Sequence, residues 1–232
     1  MPRPSRNLDR LLLAAGAALY PGLGCAGLTI RQVCEAAKVN PGMFHYHFRS
    51  REAFLRAVMQ ATYEELFLRL TLGTAQGGDA LARLRSGLRL LGRFVRDHRA
   101  LLARILLDAF NGEAVAREFL RDNLPRHFGV LQGLIALAQR EGRIRAVDPR
   151  QALGSCAGTI AMPILAGGAI ADSGALAPPE ARSLSATLLS DRAIDERIDI
   201  VLAGLAAGAP GASASPPSPS RRARARRPKG RP

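Results

Sequence analysis

Apolar side chains recur at intervals of three and four residues along most of this 232-residue chain, and no stretch of useful length alternates apolar with polar residues. The run Leu81, Leu84, Leu88, Leu91 and Val95 shows this spacing most clearly. Such spacing puts apolar side chains on one face of an α-helix, whereas a half-buried strand needs a period of two. The chain is therefore predicted to be all-α.

Glycine and proline mark the ends or irregularities of several predicted helices. Pro21 and Gly22 are expected to end the first helix, Pro125 to break or kink the seventh, and Pro163 to kink the eighth. A loop is predicted over 173–179, and the arginines of the fifth helix are predicted to lie on a solvated face. The predicted helices cover residues 8–20, 29–37, 41–48, 50–72, 81–96, 101–110, 113–141, 150–171 and 191–208.

The charge is strongly positive and unevenly placed. The formal net charge is +14, from 33 basic and 19 acidic side chains. Residues 1–60 carry 8 basic and 3 acidic side chains, residues 61–220 carry 18 and 16, and residues 221–232 carry 7 and none. A balance of this kind indicates a polyanionic partner, either nucleic acid or an anionic membrane.

The C-terminal stretch 209–232 differs in composition from the rest of the chain. It holds six prolines and seven basic residues, and no apolar side chain larger than alanine. Such a segment cannot bury enough surface to offset the entropy lost on ordering. It is predicted to be a disordered basic tail.

Residues 28–52, which read LTIRQVCEAAKVNPGMFHYHFRSRE, combine two helix starts with a short turn. Thr29 is a good N-cap for one helix, and Ile30 and Val33 supply that helix with an apolar face. Asn40 is an N-cap for the next helix, with Pro41 at its first position, where the missing N–H costs nothing. The pattern predicts a helix-turn-helix over 29–48.

The second helix of this pair has a buried and an exposed face. Phe44 and Phe48 are four residues apart and are predicted to point inward. Pro41 and His45 then share one outer face, and Gly42 and Tyr46 an adjacent one. Small and polar groups at a helix N-terminus suit close contact with a nucleic-acid backbone and with base edges.

These residues resemble the DNA-binding domain of the tetracycline-repressor (TetR) family of bacterial regulators. The resemblance rests on Leu28-Thr29-Ile30, Ala36-Ala37, Val39-Asn40-x-Gly42, Phe44, Tyr46-His47-Phe48 and Ser50-Arg51-Glu52. It implies a three-helix helix-turn-helix DNA-binding domain over 6–66, joined to a larger helical ligand-binding and dimerisation domain over 67–208. The segment 209–232 follows as the tail.

The resemblance also implies which side chains meet DNA. Arg31 is the best candidate for a guanine, because its fork matches O6 and N7. The family commonly has tyrosine where His45 stands and lysine where Arg51 stands, so the contact of His45 is expected to differ and that of Arg51 to be kept. Phosphate contacts are implied for Thr29, Tyr46, His47 and Arg51, base-edge contacts for Arg31, Pro41, Gly42, Met43 and His45, and a place in the DNA-binding set for Asn40.

Structural alternatives stand beside these roles. Tyr46 could be a core aromatic, and His47 could pack as a structural side chain against the first helix. His45 and His47 do not form a metal pair, because residues two apart on a helix point away from each other. Cys34 lies among apolar neighbours and is expected to be a buried small hydrophobe.

The larger domain is expected to hold a dimer interface and a cavity for an unidentified small-molecule effector. The resemblance implies a homodimer through helices near 150–171 and 191–208. His98, Asp108, His127 and Met162 could line a cavity, but none is assigned as a ligand contact. No residue pattern points to catalysis, to a cofactor or to a metal site, and the chain is not expected to be an enzyme.

Two targeting alternatives compete with the expected cytoplasmic, nucleoid-associated location. Arg3, Arg6 and Arg10 before an apolar run resemble a signal peptide, although Asp9 interrupts the basic region. Residues 151–171 are uncharged and long enough to span a bilayer, but a buried helix explains them as well. The three scattered cysteines suit a reducing cytoplasm, and no membrane partner is expected.

The resulting hypothesis is a ligand-responsive repressor that binds a palindromic double-stranded DNA operator as a homodimer. The alternative is a nonspecific, basic architectural DNA-binding protein whose main arm is the tail.

Overall fold

The computed structural model describes residues 6–75 and 77–208, and the predicted tail over 209–232 lies outside them. These residues form ten α-helices and no β-strand, which confirms the all-α prediction. The helices are α1 (Arg6–Gly27), α2 (Ile30–Ala37), α3 (Pro41–His47), α4 (Arg51–Ala75), α5 (Ala80–Asp97), α6 (Arg99–Phe110), α7 (Ala114–Arg140), α8 (Pro149–Asp172), α9 (Pro178–Leu189) and α10 (Asp191–Leu205).

The first three helices pack with the start of α4 around one apolar core. Leu12 of α1, Phe44 of α3 and Phe54 of α4 are fully buried. Gly16 lets α1 approach α4 closely, since a Cβ there would lie 2.6 Å from Phe54 Cζ and 2.7 Å from Val58 Cγ2. The close packing fixes the helix-turn-helix against α4, which continues without a break into the larger domain.

The first helix extends further than the sequence predicted. The helical backbone runs through Pro21 and Gly22, and the break comes at Gly24, whose φ of 65° and ψ of −170° are not helical. A positive φ is accessible to glycine at little cost. Arg104 of α6 fills the space beside Gly24, where a Cβ would lie 2.1 Å from its Nε.

Ion pairs join α5 to α10. The leucine face of α5 is inward as predicted, but its arginines do not form a purely solvated face. Arg89 Nε donates to Asp195 Oδ1 at 2.6 Å, and Arg93 Nη2 lies 3.0 Å from Asp191 Oδ2. Further pairs are Arg85 with Asp199 and Arg96 with Asp191. Part of the predicted solvated face is therefore a contact with α10.

Sequence periodicity missed α9 entirely. None of its residues is buried, so it lacks the apolar stripe on which a helix prediction depends. It packs along α8, where Leu188 Cδ1 would lie 2.3 Å from a Cβ on Gly167. The chain also stays helical through Pro125 in α7 and Pro163 in α8, so Pro125 does not break its helix.

Among the described residues, α8 is the one helix that could cross a membrane by length and composition alone. It packs against α5, α6, α7, α9 and α10. Ala152, Cys156, Ile160 and Ile164 form its buried face. This packing accounts for the apolar side chains on the buried face of α8.

Candidate DNA-binding surface and ligand cavity

The start of α2 is fixed by a reciprocal cap. Thr29 Oγ1 accepts a hydrogen bond from the backbone N–H of Gln32 at 3.3 Å. Gln32 Oε1 accepts one from the backbone N–H of Thr29 at 2.9 Å. Both backbone N–H groups would otherwise have no hydrogen-bond partner at the start of the helix. The predicted N-cap role of Thr29 is confirmed.

The turn between α2 and α3 is tight. Lys38 has a left-handed conformation with φ of 55°, and its amide donates to the Glu35 carbonyl at 3.2 Å. The next residue, Val39, is buried, and its amide donates to the Cys34 carbonyl at 2.9 Å. Cys34 is itself buried, as predicted. The turn therefore holds the two helices at a fixed angle.

The recognition-helix candidate α3 begins as predicted. Asn40 Oδ1 accepts from the Gly42 amide at 2.8 Å, and Pro41 occupies the first helical position. Phe44 is fully buried, and the rings of Phe44 and Phe48 each lie 5.0 Å from that of Phe54. These contacts turn the opposite face of the helix outward.

The outward face of α3 carries a phenol and an imidazole. Tyr46 is 66 % exposed, so the alternative that placed it in the core is wrong. The ten predicted DNA-binding residues all lie on or beside α2 and α3 or at the first position of α4. Exposed are Thr29, Arg31, Asn40, Pro41, Gly42, His45 and Tyr46, and half-buried are Met43, His47 and Arg51.

The two candidate arginines have different surroundings. The Arg31 side chain is 87 % exposed, and its Nε donates to Glu35 Oε1 at 2.7 Å. An exposed ion pair contributes little to stability, so Arg31 can exchange it for another acceptor. Arg51 Nε donates to the Leu28 carbonyl at 2.7 Å. That bond holds α4 to the α1–α2 connection and leaves other guanidinium N–H groups for a phosphate.

His47 is partly built into the domain. Its Nε2 is buried and has no hydrogen-bond partner among the described residues. Its ring centroid lies 5.3 Å from that of Tyr46 and 6.2 Å from that of Phe48. The edge of the His47 ring that carries Nε2 therefore lies inside the domain.

A cavity of about 310 Å³ lies between α4, α5, α6, α7 and α8. This volume is at the lower end of the range typical for small-molecule sites, roughly 300–1,000 Å³. Its wall is almost wholly apolar, and no charged side chain lines it. Of the four residues that sequence suggested, His127 and Met162 line the cavity, whereas His98 and Asp108 do not.

Asp108 has a different position, at the contact between α6 and α1. Its Oδ2 accepts from the Tyr20 hydroxyl and from the Cys25 amide, each at 2.7 Å, and its Oδ1 accepts from Arg104 Nε at 2.9 Å. Burial alone would raise the pKa of Asp108, but these donors hold it below its usual range. Burial raises the pKa of Cys25 to about 11, so its thiol stays protonated. Sequence reasoning missed this cluster, because no local pattern links Tyr20 to Asp108.

Comparisons with known proteins agree with this architecture. Residues 12–58 match the family model described as "Bacterial regulatory proteins, tetR family". No curated protein matches the sequence significantly.

Solved structures share the fold over most of the chain. A Clostridium perfringens protein assigned as a fatty acid metabolism regulator superposes with a TM-score of 0.67 at 17 % identity, covering 84 % of this chain and 98 % of its own. FadR from Bacillus subtilis, solved with stearoyl-CoA, gives 0.62 at 16 % identity, covering 78 % and 98 %. A transcriptional regulator from Saccharomonospora viridis, solved with choline, gives 0.65 at 17 % identity, covering 86 % and 97 %.

Proposed function

We propose that this chain is a ligand-responsive repressor of the TetR family that binds a palindromic operator as a homodimer, because residues 12–58 match the family model and the fold is shared with a solved regulator over most of the chain. On this proposal, the chain is a DNA-binding regulator and not an enzyme. Its place is then the bacterial cytoplasm, in association with the nucleoid, where its DNA partner is found.

The observation that carries the proposal is the exposed face of α3. The helix is capped by Asn40, anchored by buried Phe44, and presents Pro41, Gly42, His45 and Tyr46 to solvent. A capped helix with small residues at its N-terminus can enter the major groove and bring side chains to base edges. In this proposal α3 is the recognition helix.

Contacts divide between backbone and bases. Thr29, Tyr46, His47 and Arg51 bind phosphates, which sets the register of the domain on the duplex. Arg31, Pro41, Gly42, Met43 and His45 face base edges, and Asn40 fixes the helix start. His47 contributes through the part of its ring that remains accessible, since its Nε2 is buried.

The dimer interface is proposed on α8 and α10. Five α8 residues at helical spacing are exposed and uncharged, namely Gln151, Gly154, Ser155, Gly158 and Met162. On α10, Ile200 is 67 % exposed beside Ala203 and Gly204. Small residues allow close helix approach, and an exposed apolar side chain favours a partner. Two recognition helices could then occupy half-sites about 34–36 Å apart.

The effector is proposed to bind in the cavity lined by helices α4, α5, α6, α7 and α8. Gly158 and Met162 belong both to its wall and to the proposed interface, so a partner subunit would cover part of the wall. A ligand that prefers one spacing of the recognition helices shifts the population toward it. The relatives solved with stearoyl-CoA and with choline support a small-molecule effector of some kind.

Selection of bound DNA from a random pool, at fixed salt, tests the proposal. A repressor should enrich one palindrome and prefer it over unrelated DNA by about 10³ or more. The alternative, a nonspecific architectural protein, would enrich no sequence. The basic stretch 221–232 favours that alternative, but it does not account for a capped helix with an outward polar face.

A further inference from the structure

Among the described residues, no charged side chain lines the cavity. Residues from α5, α6 and α8 contribute only apolar groups, among them Leu91, Ile105 and Met162. Polar side chains come from α4 and α7 alone, and they are Thr62, Tyr63, Asn123 and His127. An ionised ligand here would lose its hydration without gaining a counter-charge, which is strongly unfavourable.

All four polar side chains have a hydrogen-bond partner, and His127 is paired through one ring nitrogen only. Asn123 Nδ2 donates to Gln60 Oε1 at 3.0 Å and to the Phe119 carbonyl at 2.9 Å, and its Oδ1 accepts from Gln60 Nε2 at 3.0 Å. The Tyr63 hydroxyl donates to the Asn123 carbonyl at 2.7 Å. Thr62 Oγ1 lies 3.5 Å from the Val58 carbonyl.

The contacts of His127 indicate which of its two ring nitrogens carries the proton. Its Nδ1 lies 3.2 Å from the Tyr63 oxygen. The Tyr63 hydroxyl lies closer to the Asn123 carbonyl, at 2.7 Å, and its single proton is assigned to that bond. The Tyr63 oxygen then accepts from His127, which assigns the ring hydrogen to Nδ1. In a neutral ring with this assignment Nε2 is an acceptor, on a side chain that lines the cavity.

The imidazole is neutral at physiological pH. Burial lowers the pKa of His127 to about 4, against which a hydrogen bond to the Asn123 backbone acts only weakly. Two charged groups beside Tyr63, Glu64 and Arg126, pair with each other at 2.6 Å, and the Arg126 guanidinium lies 5.1 Å from the Tyr63 ring centroid. No titratable group faces His127 from the linings of α5, α6 or α8.

We propose that the cavity selects an uncharged, largely apolar effector that donates one hydrogen bond to Nε2 of His127, as an alcohol or a phenol can. The inference rests on the proposed function, since it names the ligand class of the regulator's effector site. An anionic acid is disfavoured, because a carboxylate would face a lone pair. An ether or a hydrocarbon fits the wall but leaves Nε2 without a partner.

Three probes of similar shape test the proposal by calorimetry on the full chain at pH 7.5. They are 4-butylphenol, which has a donor, 4-butylanisole, which has only an acceptor, and 4-butylbenzoate, which is anionic. The phenol should bind roughly tenfold more tightly than the anisole, the effect of one buried hydrogen bond, and the benzoate should bind more weakly than both. Equal binding of phenol and anisole, preferred binding of benzoate, or binding of none would overturn the proposal.

The substitution His127→Phe replaces the acceptor with an apolar ring. It should abolish the preference for phenol over anisole while keeping anisole binding. His98→Phe, which changes a histidine outside the cavity, should keep the preference. If His127→Phe does not fold, side-chain nitrogen NMR of the unaltered protein still decides, since Nδ1 must be protonated and Nε2 unprotonated. The reverse assignment would overturn the proposal.

These outcomes are separable from those for the proposed function. A chain that selects one operator but shows no phenol preference is a regulator with a different ligand class. A chain that prefers phenol but selects no DNA sequence keeps the cavity assignment and loses the repressor proposal.

Discussion

Tyr20 and Asp108 lie 88 residues apart in sequence, yet the Tyr20 hydroxyl donates a 2.7 Å hydrogen bond to Asp108 Oδ2. The bond ties the C-terminal part of α1, in the DNA-binding unit, to α6. On another side of α6, Leu102, Ile105 and Leu106 line the cavity. One helix therefore contacts both the proposed effector site and the DNA-binding unit, and Asp108 and Arg104 are its polar attachments to that unit.

The first prediction concerns the loss of one of these hydrogen bonds, the one between Tyr20 and Asp108. Tyr20→Phe deletes the hydroxyl that donates to a buried carboxylate, and we expect it to lower the free energy of unfolding by about 1.5–3 kcal/mol, the range for hydrogen bonds to charged groups. Denaturant unfolding followed by circular dichroism measures the change. Tyr46→Phe is the matched control, because Tyr46 is largely exposed and its loss should cost less than about 0.5 kcal/mol. Equal costs for the two would mean that the Tyr20–Asp108 bond contributes nothing.

Local features of this fold could be predicted from sequence, and long-range ones could not. The caps at Thr29 and Asn40 and the inward Phe44 depend on neighbours within four residues, so spacing alone was enough to identify them. The Tyr20–Asp108 bond depends on how α1 and α6 pack, and nothing near either residue signals it.

Two errors in helix assignment also have physical causes. Pro21 does not end α1, and the break at Gly24 coincides with the insertion of Arg104 from a distant helix. The helix α9 buries none of its residues and so lacks a periodic apolar stripe. The cavity is likewise a property of five packed helices, and sequence named only two of its lining residues, His127 and Met162, among four candidates.

The second prediction separates base contacts from phosphate contacts. Arg31→Ala should relax preference at one base pair of the selected operator, at a cost of about 1–3 kcal/mol for the favoured base. Arg51→Ala should weaken binding to all sequences alike. Competition binding with operators mutated one base pair at a time measures both.

A control follows from the ion pair of Arg31. Glu35→Gln removes the negative charge that pairs with Arg31 while keeping a hydrogen-bond acceptor there, so affinity should stay the same or rise. If Arg31→Ala and Arg51→Ala lose affinity equally on every sequence, Arg31 does not read a base.

The third prediction concerns the basic stretch at the C-terminus. Deleting 209–232 removes seven basic residues, and phosphate neutralisation makes the logarithm of affinity fall linearly with that of salt. The truncated chain should therefore show a shallower salt dependence and the same preferred operator. An altered preferred sequence would show that this stretch reads bases.

The fourth prediction concerns acid stability. Because the pKa of His127 is about 4 in the folded chain and about 6.5 when unfolded, the unfolded chain binds the extra proton between these values. Folding stability from this residue is fully present above about pH 6.5 and falls by roughly 3 kcal/mol as pH drops to 4. Denaturant unfolding between pH 4.5 and 7 should show a smaller loss for His127→Phe than for the unaltered chain. Identical slopes would mean that His127 is not buried as a neutral ring.

The last prediction tests the proposed dimer face on α8. Gly154 is exposed, and a Cβ there would meet nothing within 4 Å, so Gly154→Arg is compatible with the folded subunit. The substitution places a long, charged side chain in the middle of an uncharged face. A charge that is buried without a partner strongly opposes association. Light scattering after size exclusion should show a dimer for the unaltered chain and a monomer for Gly154→Arg, with operator affinity lost because the two half-sites are no longer bound together. Gly129→Arg on α7 is the matched control, since Gly129 is equally open and lies off the proposed interface. A Gly154→Arg chain that remains dimeric would place the interface elsewhere.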